Sequence, residues 1–121
     1  MLYNNSIKNT QRLIMNHSYT NVTFEEAKKI IDENSDCIMF DVRTDEEFFT
    51  GHAEGAVNFD VDTINAETAA ELIPSKDTPL LVYCKTGERA RLAAEALADL
   101  GYTKIYDIGS LVKWPYGMSF E

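Results

Sequence analysis

Two short, nearly continuous apolar runs constrain this chain more than any other feature. Cys37-Ile38-Met39-Phe40-Asp41-Val42 and Pro79-Leu80-Leu81-Val82-Tyr83-Cys84 have strand length, and neither alternates apolar with polar residues. A strand with one wet face alternates. Runs of this kind belong to strands covered on both faces, as in a parallel sheet between helices. The intervening sequence supplies the helices. Thr23-Phe24-Glu25-Glu26 has the form of a capping box. Phe24, Ala27, Ile30 and Ile31 give the following helix an apolar side, and Asn34 or Ser35 ends it. Thr44 caps a short helix over 45–49 that opens with acids. Further helices are expected over 63–73 and 89–100. The second has Leu92, Ala93, Ala96, Leu97 and Leu100 on its apolar face and Gly101 at its end. Short strands are expected at 19–22, 56–59 and 104–108. Strands alternating with helices along the chain predict an α/β layered domain with a mainly parallel sheet over residues 19–121. Residues 1–18 are read as an N-terminal tail or short appended helix.

Charge narrows the function. The 121 residues carry 20 acids against 11 basic side chains, a net charge of −9. Such a body lacks the basic surface that displaces counterions from nucleic acid, and it does not suit an anionic membrane. No apolar run approaches the roughly 20 residues that a membrane-spanning helix needs. The first 24 residues contain no acid but have neither the apolar stretch nor the cleavage site of a secretory signal. The cytoplasm is therefore the expected compartment, with Cys37 and Cys84 reduced. Two cysteines and two isolated histidines make no metal constellation.

The segment Cys84-Lys85-Thr86-Gly87-Glu88-Arg89 joins a buried-type strand to the strongest helix. A cysteine placed there meets the unpaired N–H groups and positive dipole end of the helix, which favour a thiolate. Gly87 lets the backbone turn so that successive N–H groups point inward. Lys85, Arg89 and Arg91, opposed by Glu88, put a local charge of +2 on an acidic chain, which suits a small anionic substrate. Cysteine-dependent phosphatases and arsenate reductases place five residues between Cys and Arg; here there are four. The tighter loop fits one extra sulfur atom better than a tetrahedral oxyanion.

Several stretches, in order, resemble the single-domain rhodaneses, thiosulfate sulfurtransferases. They are Phe40-Asp41-Val42-Arg43 with Glu46-Glu47-Phe48, then Gly51-His52-Ala53-Glu54-Gly55-Ala56-Val57-Asn58, then Tyr83-Cys84 to Arg89. Leu100-Gly101-Tyr102 and Gly109 to Trp114 complete the set. The resemblance covers about residues 19–117. One position departs from it: Ser110 stands where the family often has the second glycine of a pair, which bears on the loop at the site entrance without touching the nucleophile. The resemblance implies a rhodanese-like three-layer domain, with a five-stranded mainly parallel sheet flanked by helices. It also implies a cofactor-free reaction through a Cys84 persulfide. In this reading Cys84 is the nucleophile and Lys85, Thr86, Gly87, Glu88 and Arg89 form the substrate loop. Lys85 attracts the donor's anionic end. Arg89 braces the loop through a salt bridge to Asp41, and Arg43 assists the anion or binds near Asp41. The expected partners are a small anionic sulfur donor, thiosulfate or a persulfide, and a thiol or protein acceptor, with the chain a monomer or weak dimer.

Two other classes remain open: a persulfide carrier or regulatory module, and, less favoured by the loop length, a phosphatase or arsenate reductase. Elsewhere the plain readings stand. Cys37 is core, His52 is a hydrogen-bonding turn residue, Glu25-Glu26 and Asp45-Glu46-Glu47 are solvated helix-start charges, and Trp114 closes the core.

Overall fold

In this computed structural model the described residues are 18–121. The expected tail or appended helix falls on residues 1–17, outside the described residues, save for Ser18. From the N-terminus the elements are β1 (Thr20–Asn21), α1 (Phe24–Glu33), β2 (Ile38–Asp41), α2 (Asp45–Phe49), β3 (His52–Ala53) and β4 (Val57–Asn58). They continue with a 3-10 turn (Val61–Thr63), α3 (Ala66–Leu72), β5 (Leu80–Cys84), α4 (Glu88–Asp99), β6 (Ile105–Ser110) and β7 (Met118–Ser119).

Five strands form one sheet in the order β1-β6-β5-β2-β4, and every neighbouring pair is parallel. The central strand β5 is buried along its whole length. Its side chains alternate between two cores. Leu80, Val82 and Cys84 join Phe40, Val42 and Ile73 under α3 and α4. Leu81 and Tyr83 join Met39, Ile108 and Trp114 on the α1 side. This double coverage is why β2 and β5 read as unbroken apolar runs.

The two capping signals hold. Thr23 and Thr44 both form complete capping boxes, with Glu26 and Glu47. The expected helix over 63–73 is corrected to the 3-10 turn plus α3. Asn65 takes the N-cap position, accepting from Thr68 N while Thr68 Oγ1 accepts from Asn65 N, and so restarts the helix. The apolar face of α4 is also corrected. Its buried residues are Ala90, Ala93, Ala94, Leu97 and Ala98, whereas Leu92 is 43% exposed. Small side chains let the helix settle close on the sheet, so bulk at Leu92 is turned outward. Cys37, expected in the core, is half-buried, and burial raises its thiol pKa above the ordinary value, with Asp36 adding to the shift. A second, two-stranded antiparallel sheet, β3 with β7, pairs His52 with Ser119 and Ala53 with Met118. No sequence signal announced it.

Candidate active site

Cys84 ends β5 and is fully buried on the α4 side of the sheet. Gly87, the residue before α4, has φ +103°, a conformation that penalises any side chain. That turn aims the Gly87 N–H at Cys84 Sγ, 3.0 Å away, and Ala90 N–H donates to the same sulfur at 3.3 Å. The substrate loop read from the sequence ends at Arg89. In the structure the hydrogen bonds to Sγ come from Gly87 and from Ala90, one residue beyond. The reason is helical geometry: Ala90 is the third residue of α4, and its amide has no carbonyl partner within the helix. The sulfur thus lies in an apolar core yet faces two converging donors and the positive end of a 12-residue helix.

Lys85 and Thr86 are exposed, and Lys85 makes no ion pair with the described residues. The other cations of the segment are engaged. Arg91 binds Glu88 at 2.8 Å and Glu95 at 2.9 Å. Arg89 does not pair with Asp41, as the sequence suggested, but grips Glu47 through two bonds of 2.7 and 3.1 Å. The local positive charge at the loop mouth therefore comes chiefly from Lys85.

Asp41 could not have served Arg89, because its carboxylate is saturated elsewhere. It is fully buried and accepts from Arg43 N at 3.0 Å, from the Arg43 guanidinium at 2.6 and 2.9 Å, and from Tyr83 Oη at 2.6 Å. Tyr83 belongs to the α1-side core, opposite Cys84. Burial, reinforced by the bond to Asp41, holds the Tyr83 phenol well above its ordinary pKa, so it stays a neutral donor. The Asp41 bond likewise raises the Arg43 pKa and fixes its charge. Arg43 also donates to Gly51 O at 2.7 Å, and Tyr83 Oη accepts from Ala53 N at 3.0 Å. Asp41 and Arg43 therefore do not reach the sulfur. They lock the segment from 41 to 53, and α2 within that segment carries Glu47 to Arg89. His52 lies in the same segment, its ring stacked on Phe48 at 3.6 Å and its Nδ1 2.8 Å from Phe48 O.

Glu47 was missed as a site residue. Its place three residues after Thr44 was the available signal, because a capping box fixes where that carboxylate sits. The Arg89 guanidinium, helped by the Thr44 amide, lowers the Glu47 pKa to about 2. A depressed carboxylate pKa stabilises the fold above the unfolded value and loses that contribution as pH falls through the folded one. Glu47→Gln is expected to lower the urea midpoint at pH 7, and the gap from the parent should close as pH falls from about 4.5 toward 2. Both partners are about one-third exposed and screened by solvent, so the difference should stay below about 1 kcal/mol.

Among the described residues no group of three His, Cys, Asp or Glu side chains could hold a metal. A cavity of about 480 Å³ opens between the start of α2 and α3, but Asp45, Asp60 and Glu71 line it and no residue of the 84–89 loop does. Among the described residues no helix is long and apolar enough to cross a membrane.

Comparison with known proteins gives a consistent picture. A sequence profile of the family described as "Rhodanese-like domain" matches residues 23–115. The thiosulfate sulfurtransferase PspE of Escherichia coli (strain K12) is 34% identical over 71 residues, 59% of this chain and 67% of that protein. A tRNA uridine(34) hydroxylase of Chlamydia muridarum is 32% identical over 89 residues, 69% of this chain; the match spans 27% of the hydroxylase, about a quarter of its length. A solved structure described as "rhodanese with anions from E. coli" superposes with a TM-score of 0.63 at 27% identity, covering 70% of this chain and 99% of that one.

Proposed function

The chain belongs to the rhodanese-like domain family, and on that premise we propose that it is a sulfurtransferase working through a persulfide on Cys84. The Cys84 thiolate attacks the outer sulfur of thiosulfate or of a persulfide donor. A new S–S bond forms at Sγ, the donor's S–S bond breaks, and its electron pair leaves with sulfite or the donor thiolate. A thiol or cyanide then attacks the outer sulfur of the persulfide. That S–S bond breaks in turn and returns the pair to the Cys84 thiolate, so no outside oxidant or reductant is consumed. Lys85 attracts the anionic end of the donor. Gly87 and Ala90 N–H hold the negative sulfur, and the Arg89–Glu47 pair keeps the end of the loop against α2.

The observation that carries this reading is the convergence of the Gly87 and Ala90 amides on Cys84 Sγ. A buried structural cysteine has no use for two aimed donors. The sulfur has no exposed surface, so a donor reaches it only as the residues above it move aside, which favours small donors. The test is intact mass after incubation with thiosulfate. A gain of one sulfur atom, located at Cys84 and removed by cyanide, is expected; an unchanged mass rejects the proposal. Rapid Cys84-dependent hydrolysis of a small aryl phosphate would favour phosphatase chemistry instead.

A further inference from the structure

The loop between Cys84 and Gly87 is held in place from outside, and the hold comes from β6. Parallel partners point to the same side of a sheet. Val82 pairs with Asp107, but the next residue, Tyr83, pairs with Gly109, so Ile108 is an extra residue in β6. Regular alternation from Ile105 and Asp107 would bring position 109 beside Cys84. The extra residue brings Ser110 there instead, in register with Cys84 and on its face of the sheet. The irregular step is itself braced: Asp107 Oδ1 accepts from Gly109 N at 2.8 Å, and Gly109 has φ +83°.

From that position Ser110 Oγ donates to Lys85 O at 2.6 Å and accepts from Val112 N at 3.1 Å. One hydroxyl thereby ties the loop to the turn after β6. The preceding carbonyl, Cys84 O, accepts from Leu111 N at 3.0 Å, so the Ser110 bond is the one that extends the hold past the strand to the Lys85 carbonyl, on the way from the sulfur to the Gly87 amide.

We propose that Ser110 is a positioning residue for Cys84: its hydroxyl fixes the Lys85 carbonyl and so keeps the Gly87 N–H aimed at Sγ. Ser110 makes no hydrogen bond to Sγ, whose donors are Gly87 and Ala90 N–H. It acts through the loop, and its effect on turnover rests on the sulfur-transfer reading, while its effect on the thiolate does not.

The experiment measures the rate of Cys84 alkylation by iodoacetamide against pH, resolved from Cys37 by peptide mass. Ser110→Ala is expected to slow alkylation near neutral pH by about three- to tenfold, the loss of one hydrogen bond's contribution, and to displace the profile to higher pH. Ser110→Thr keeps the hydroxyl and should restore the parent profile. Ser110→Gly also removes the hydroxyl and replaces the alanine variant if that fails to fold. A hydroxyl-free variant that overlays the parent overturns the proposal, as does a threonine variant displaced like alanine. Because alkylation needs no sulfur donor, this result is separate from sulfur uptake. A parent that takes up no sulfur rejects the proposed function, even if its alkylation profile depends on Ser110.

Discussion

In Cys84→Ser protein, thiosulfate is expected to leave the intact mass unchanged, and sulfur transfer to cyanide should fall to the uncatalysed rate. In the proposed mechanism the sulfur is the reacting atom, so the expected loss is total. A serine hydroxyl is a far weaker nucleophile at neutral pH and forms no persulfide. The substitution should barely disturb the fold, because a smaller side chain takes the same place and its oxygen can accept from Gly87 and Ala90 N–H. Circular dichroism and thermal unfolding check that second half. Turnover persisting in a folded Cys84→Ser protein would move the chemistry to another residue.

Asp41→Ala should do the reverse, removing stability before chemistry. The carboxylate is fully buried and serves Arg43 and Tyr83 together. Its removal leaves a nearly buried guanidinium short of its counter-charge and a buried phenol without its acceptor. Breaking a buried pair from one side costs about 3–5 kcal/mol, a large share of the roughly 5–15 kcal/mol that holds a domain together. Urea unfolding should show that loss. Asp41→Asn keeps an acceptor for Tyr83 and should fall between the two. A midpoint unchanged in Asp41→Ala would show that the cluster contributes little, and that water or rearrangement replaces it readily.

The contrast between these variants explains which features the sequence disclosed. What was legible depended on contacts between residues close in sequence. Thr23 with Glu26 and Thr44 with Glu47 are capping pairs three residues apart, and both helices begin where those pairs require. The runs ending at Val42 and Cys84 disclosed a doubly covered sheet, and the loop after Cys84 was visible because strand, glycine and helix follow one another directly. Arg89's partner was not legible. Glu47 lies 42 residues away, and nothing in local spacing ranks it above Asp41, whose lone pairs are filled by Arg43 and Tyr83. The face of α4 was misjudged because Leu92 is greasier than Ala90 or Ala94, while close helix–sheet contact rewards small residues. The irregular step in β6 was hidden too, since one extra residue leaves no mark on an apolar pattern as short as Ile105–Ile108.

The antiparallel pair of His52–Ala53 with Met118–Ser119 has a practical bearing on where this domain can be cut. The family match stops at residue 115, three residues short of that final strand. A fragment trimmed to the match would lose the partner of His52–Ala53 and, with it, the Phe120 ring that packs over Gly51. Those residues adjoin the Gly51 carbonyl and Ala53 amide that anchor Arg43 and Tyr83. The last few residues thus act as a clasp on the buried charge cluster, and the smallest sound unit extends past the boundary that sequence similarity draws.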